Sequence, residues 1–233
     1  MFADITSANV VGYSKVDLGL NWTMIGPCFG TVGQSGLGEV FLEDLQGEFE
    51  DEDELQISFM EGSKVRFTSY YYYTEDGAWG VDKDGWYEDE NTYIGDTVSL
   101  KQGQAAWLIS KGSSTQSGEV NGTEIVLNDF KKKWEMVVNP YPVAFNPNSD
   151  DITWAGVQDE DEIQVSYMEG TKVRFNSYYY YTEDGAWGVD KDAWYIDENT
   201  PVEDAIAAPG QGWWLITAAP TDVSITFKSP LKK

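Results

Sequence analysis

Residues 50–92 read EDEDELQISFMEGSKVRFTSYYYYTEDGAWGVDKDGWYEDENT, and residues 159–200 repeat 51–92 at a constant offset with about five in six residues identical. Within the first copy Leu55, Ile57 and Phe59 alternate with Gln56 and Ser58, Glu61-Gly62 supplies a tight turn, and residues 64–73 return as a second strand. The second copy keeps the pattern with Ile163, Val165 and Tyr167, then Glu169-Gly170, then residues 172–181. Apolar residues that alternate on either side of a glycine turn specify a β-hairpin, because successive strand side chains point to opposite faces. A duplicated hairpin predicts duplicated domains.

Outward from the hairpins, each half adds short strand-like pieces. Two Asp-Gly steps, Asp76-Gly77 and Asp84-Gly85, frame segments around Trp79 and Trp86, and the second repeat has Asp192-Ala193 at the later step. Ala tolerates a positive φ poorly, so Gly85 is not expected to need one. Closing strands are expected over 103–109 and 210–216, and a last one over 223–227. Before the hairpins, residues 10–26 read as one or two strands with a turn near Gly19, which Trp22 and Met24 align with Trp134 and Met136 of the second half. Residues 30–38 form a Gly-rich loop, residues 40–45 fit a strand and a helical turn equally, and Lys111–Gly118 (KGSSTQSG) reads as an exposed connection. The expected organisation is an N-terminal extension over 1–9, a first β domain over 10–120 and a second over 121–233. The fold class is all-β: two tandem homologous antiparallel β-sandwich or partly open barrel domains.

Composition supports strands and excludes several chemistries. Aromatic residues make up 15% of the 233, with 10 Trp and 14 Tyr, and Gly numbers 23. Forty carboxylates against 15 basic groups leave a net charge of −25, which repels nucleic-acid phosphates and anionic lipid surfaces. There is no histidine, so Ser-His-Asp and Cys-His catalysis and His-ligated zinc are ruled out. The single cysteine, Cys28, cannot form an internal disulfide and is expected to be a small buried apolar group. No apolar run is long enough to span a bilayer, and residues 1–9 lack the pattern of a signal peptide, so a mature exported form is expected. Two sequons begin at Asn21 and Asn121.

The second half also carries W-x-M-V-V-N-P-Y-P over 134–142 and P-G-Q-G-W-W over 209–214, around a Tyr-rich strand. This resembles repeated β-modules of large secreted, surface-attached bacterial proteins, in which an N-P-Y-P turn follows a Trp strand and a P-G-Q-G-aromatic strand comes near the end. The first half departs from it, with Gly26-Pro27-Cys28-Phe29 at the turn and Gly103-Gln104-Ala105-Ala106-Trp107 at the late strand. The resemblance implies an extracellular, non-catalytic setting and names no ligand.

The Tyr run supplies the candidate site. If Val65 and Phe67 face the core, Tyr71 and Tyr73 do so too, and Lys64, Arg66, Thr68, Tyr70 and Tyr72 face outward. Arg66, Tyr70 and Tyr72, with Arg174, Tyr178 and Tyr180 in the second copy, are then an aromatic and basic ladder that stacks on sugar rings or on another subunit, unless the domain's own Trp79 or Trp86 segment covers it. Asp82, Asp84, Asp190 and Asp192 are candidate calcium ligands, although their spacing does not match a helix-loop-helix calcium site. The expected function is a non-catalytic extracellular structural or adhesive protein that self-assembles into a homo-oligomer. The alternative is a tandem carbohydrate-binding module that takes polysaccharide. A third reading is a glycosidase built on two carboxylates about 5–10 Å apart. Nucleic-acid binding and membrane insertion are not expected, and no cofactor beyond calcium is.

Overall fold

A computed structural model describes residues 11–17, 22–30, 38–128, 130, 133–218 and 223–232. The expected extension over 1–9, the turn near Gly19, Asn21 and most of the Gly-rich loop lie outside the described residues. Strands of the first half are β1 (Val11–Asp17), β2 (Trp22–Ile25), β3 (Glu39–Phe41), β4 (Gln46–Gly47), β5 (Asp53–Glu61), β6 (Lys64–Tyr73), β7 (Gly85–Asp89), β8 (Thr92–Tyr93), β9 (Ser99–Lys101), β10 (Ala106–Ile109) and β11 (Ser113–Glu119). Those of the second are β12 (Ile125–Leu127), β13 (Trp134–Val138), β14 (Ile152–Ala155), β15 (Glu162–Glu169), β16 (Lys172–Tyr181), β17 (Ala193–Asp197), β18 (Thr200–Pro201), β19 (Gly212–Ile216) and β20 (Ser224–Phe227).

The fold is all-β and antiparallel, and the two halves share one plan. A six-stranded sheet in the order β2-β10-β5-β6-β7-β8 lies over a three-stranded sheet, β1-β11-β4. The second half repeats this as β13-β19-β15-β16-β17-β18 over β12-β20-β14. Each half is a sandwich, and neither closes into a barrel. β3 pairs with β9 and leads into a 3-10 turn over Leu42–Asp44, so residues 40–45 contain both a strand and a helical turn. Trp79 sits in a turn, whereas Trp86 sits on β7.

The segment read as an exposed connection is strand β11, and it is central in its sheet, paired with β1 over seven residues and with β4 on its other edge. Ser113 and Ser114 are buried there, and the Gln116 side chain accepts from Cys28 N at 3.0 Å and donates to Gly26 O at 2.8 Å. Cys28 is buried, and that burial pushes its thiol up to about 11.

Register fixes the faces of the hairpin. Its two-residue loop is Gly62-Ser63, with Glu61 opposite Lys64 and Gly62 at φ +63°, a left-handed conformation that glycine adopts without strain. Counting back from that loop puts Leu55 opposite Tyr70, Ile57 opposite Thr68 and Asp53 opposite Tyr72. Residues directly opposite share a face, so fully buried Leu55 takes Tyr70 and Tyr72 inward with it. The outward ladder expected of Tyr70, Tyr72, Tyr178 and Tyr180 is therefore corrected. All four are half-buried and packed on the domain cores, and Tyr72 and Tyr180 meet Trp86 and Trp194 edge to face at 5.4 Å. Cover by the domain's own Trp86 segment is what the structure shows.

The cores differ in content. The first contains Ile25, Leu42, Leu45, Leu55, Trp86, Leu100 and Leu108, and the second is dominated by Tyr141, Phe145, Trp194, Trp213 and Phe227. At about 1.5–3 kcal/mol for each fully buried large apolar side chain, these clusters supply the main drive for folding in both halves.

Candidate functional site: an aromatic groove at the domain junction

Turning Tyr70 and Tyr72 inward puts Val65, Phe67, Tyr71 and Tyr73 on the outer face of the large sheet. Near the hairpin tip that face meets the other domain. Met24, Ala105 and Trp107 of the first half and Met136, Val138, Trp214 and Ile216 of the second form one buried cluster, with Val173 against it. The outer faces of the two large sheets are thus packed together.

The contacts recur as matched pairs. Ile25 bridges Gln211 as Val137 bridges Gln104, and Gly26 N donates to Gly210 O at 3.1 Å as Val138 N donates to Gly103 O at 3.0 Å. Phe67 meets Trp214 at 6.3 Å and 81°, and Phe175 meets Trp107 at 6.3 Å and 79°. Trp22 meets Trp107, and Trp134 meets Trp214, each at 6.0 Å and near-perpendicular, and Trp107 and Trp214 meet each other at 6.5 Å. The junction therefore has pseudo-two-fold symmetry, as an isologous dimer interface would.

Six rings surround this axis. Trp107 and Trp214 are buried, while Trp22, Phe67, Trp134 and Phe175 remain 36–41% exposed. Monomeric surfaces expose single apolar residues freely, but a cluster of rings beside a groove marks a binding surface. One such groove, of about 670 Å³, is lined by Lys64, Arg66, Phe67, Trp134, Gln164, Phe175 and Trp214. Its pseudo-symmetric counterparts are Lys172, Arg174, Phe175, Trp22, Gln56, Phe67 and Trp107.

Of the residues expected to bind, Arg66 lies on this groove and Arg174 is its symmetry mate. Each is about half exposed and is ion-paired at 2.9 Å to a hairpin carboxylate, Glu61 or Glu169. Exposed pairs of this kind contribute little to stability, so these guanidinium groups remain open to a ligand. The sequence reading missed the four junction tryptophans. The signal that pointed to them was the alignment of Trp22 with Trp134 and of Trp107 with Trp214.

Compared with family models, with curated proteins and with solved structures, the chain matches none.

Two of the four candidate calcium carboxylates accept backbone hydrogen bonds: Asp84 Oδ1 accepts Glu75 N at 2.7 Å, and Asp192 Oδ1 accepts Glu183 N at 2.8 Å. Among the described residues there is no group of three or more acidic, His or Cys side chains placed to hold a metal. Asp51 and Asp159 hold the following turns, accepting from Thr74 N and Ala78 N and from Thr182 N and Ala186 N. No helix among the described residues is long and apolar enough to cross a membrane.

Burial of the tyrosines has a consequence in alkali. Nine phenols are raised above their ordinary value, and in every case desolvation is the leading cause: Tyr70, Tyr72, Tyr73, Tyr87, Tyr141, Tyr178, Tyr180, Tyr181 and Tyr195. Tyr141, almost fully buried, reaches about 12. A phenol whose folded value exceeds its unfolded value of about 10 favours the native state below that pH, and the contribution is lost as pH rises through the folded value. The melting temperature should fall steeply between pH 10 and 12. Phenolate absorbance from these groups should rise together with loss of near-ultraviolet circular dichroism. Ionisation of all nine well ahead of unfolding would contradict their burial.

Proposed function

We propose that the protein is a non-catalytic extracellular adhesive or structural component whose binding function resides in the aromatic groove at the domain junction, and that this groove takes a polysaccharide. The observation that carries this reading is the ring set itself: Trp22, Phe67, Trp134 and Phe175, each more than a third exposed, arranged about a two-fold axis beside Gln and cationic side chains. Aromatic faces pack on the apolar faces of sugar rings, while the amide, ammonium and guanidinium groups hydrogen-bond to ring hydroxyls. The groove volume falls within the usual range of ligand clefts, about 300–1,000 Å³.

Calorimetry or affinity electrophoresis against a panel of neutral and acidic polysaccharides tests it. Trp134→Ala should weaken binding about tenfold or more, the effect expected for loss of one or two kcal/mol of ring contact, and Trp22→Ala with Trp134→Ala should weaken it at least as much. Both side chains are at sheet edges, so the melting temperature should change little. Binding that is unchanged in the double variant, or absent for every polymer tried, would reject the proposal.

A second reading, self-assembly, draws support from β1. Among the described residues this seven-residue strand is at the edge of its sheet and paired on one side, and its Tyr13 is 67% exposed. A long open edge is a template for strand addition by another copy. Light scattering at high concentration on the full chain, with and without calcium, should then show species larger than a monomer.

A further inference from the structure

The two copies of the hairpin end differently, and the difference leaves a space. In the first domain Tyr93 on β8 pairs opposite Tyr87, and their rings meet edge to face at 5.3 Å. Lys83 Nζ stands 3.3 Å above the centre of the Tyr93 ring, and the phenol donates to Glu43 Oε2 at 3.2 Å. The ring lies so close to β7 that a Cβ at Gly85 would stand 2.7 Å from its Cε2.

In the second domain Pro201 occupies the Tyr93 position opposite Tyr195, and Ala193 occupies the Gly85 position. The change at one site matches the change at the other, since the Ala193 methyl takes space that the edge of the Tyr93 ring uses in the first domain. The rest of the cradle is kept: Tyr195 donates to Lys191 O at 2.9 Å, as Tyr87 donates to Lys83 O at 2.8 Å. A cavity of about 340 Å³ results, lined by Trp187, Asp190, Lys191, Tyr195, Glu198 and Pro201. Trp187 at its edge is half exposed and is held by its Nε1 donating to Glu160 at 3.2 Å.

We infer that this cavity is a binding site for the phenolic ring of a tyrosine side chain supplied by another polypeptide, which packs against Tyr195 beside the place that Tyr93 fills in the first domain, displaced from it by the Ala193 methyl. The chemistry of the lining selects the ligand. An ammonium group is attracted to the face of an aromatic ring and gains nothing comparable from a saturated sugar ring. The edge of Tyr195 suits a second aromatic ring, and the carboxylates of Asp190 and Glu198 accept a hydroxyl proton as Glu43 does. Tyrosine presents such a ring with few rotatable bonds to order. This site is separate from the junction groove and does not depend on its ligand.

The probe is N-acetyl-tyrosinamide, followed by nuclear magnetic resonance on the indole N–H of Trp187, assigned with Trp187→Phe. Saturable shifts are expected with wild-type protein, several-fold weaker with N-acetyl-phenylalaninamide and absent with methyl glucoside. The double variant Ala193→Gly, Pro201→Tyr rebuilds the first domain's arrangement, so it should fold with an unchanged or higher melting temperature and bind the probe at least tenfold more weakly. Lys191→Met should weaken binding while leaving the fold intact. No saturable shift, equal shifts with the glucoside, or unaltered binding in the double variant would each overturn the proposal. Sedimentation velocity separates the sources of the ring. Self-association of the full chain that disappears in the double variant assigns the ring to a second copy, whereas probe binding without self-association assigns it to a different protein.

Discussion

Trp213→Ala should destabilise the second domain by about 3–5 kcal/mol, the range for emptying a fully buried aromatic site. The Trp213 ring is fully buried, stacked on Phe145 at 4.5 Å and 9°, with Trp154 at 6.3 Å and Trp154 in turn at 4.9 Å from Trp194. These neighbours are themselves planar and fixed by further contacts, so they cannot collapse into the space that is left. The first domain is built around Ala106 at this register, opposite Ile25 where the second has Trp213 opposite Val137. It fills the volume from another direction with leucines, and the second domain has no such set to substitute. Calorimetry should show a fall of about 10 °C or more in the melting temperature of the cooperative unfolding transition. The Nε1 of Trp213 has no hydrogen-bond partner among the described residues, so Trp213→Phe should cost much less, since it removes ring area and no hydrogen bond. Equal losses in the two variants would mean that the indole N–H has a role the structure does not give it.

How much of this was legible depends on which strand is read. Residues 64–73 alone do not reveal their face, because both phases contain aromatic side chains. Their partner does, since Leu55 and Ile57 alternate with Gln56 and Ser58, and the two-residue loop at Gly62-Ser63 ties Leu55 to Tyr70. The apolar character of Val65 and Phe67 misled the assignment for a physical reason: those side chains are apolar because the other domain lies nearby, and contacts between domains leave no periodicity in either one. Strand β11 was hidden for a different reason. It owes its place to pairing on both edges and to the bonds of Gln116, and a run of Ser, Thr and Gly carries no burial pattern. The duplication, the hairpins and the all-β class were readable, as were the closing strands, because each rests on alternation and turn chemistry within one segment. The ring cluster at the junction was not, because its rings come from β2, β6, β10 and their equivalents, and only the domain pairing brings them together.

That pairing has a point of closest approach, and Gly26→Val should break it. A Cβ at position 26 would stand 2.3 Å from Gln104 O and 2.7 Å from Val138 Cγ1, and a backbone carbonyl cannot rotate away as a flexible side chain can. The hydrogen bonds from Gly26 N and Val138 N mark these two residues as equivalents across the pseudo-two-fold. Valine at both positions would place two branched side chains in the space of one, so the asymmetry of Gly against Val lets the axis close. The same logic holds at Gly212, where a Cβ would be 2.6 Å from that of Ala105, its own equivalent. Overpacking a rigid contact costs about 1–3 kcal/mol or more, and here it also separates the apolar faces around Met24, Trp107, Met136 and Trp214. The expected result is a change from one cooperative unfolding transition to two and faster proteolysis near residue 120, together with loss of whatever binding the proposed junction groove supports. Adding Val138→Gly to the Gly26→Val variant removes only the contact with Val138 Cγ1 and leaves those with Gln104 O and Ala105 Cα, so it should restore little of the coupling. If Gly26→Val unfolds as wild type does, or if Val138→Gly restores it fully, the backbone approach at Gln104 is not what limits this contact.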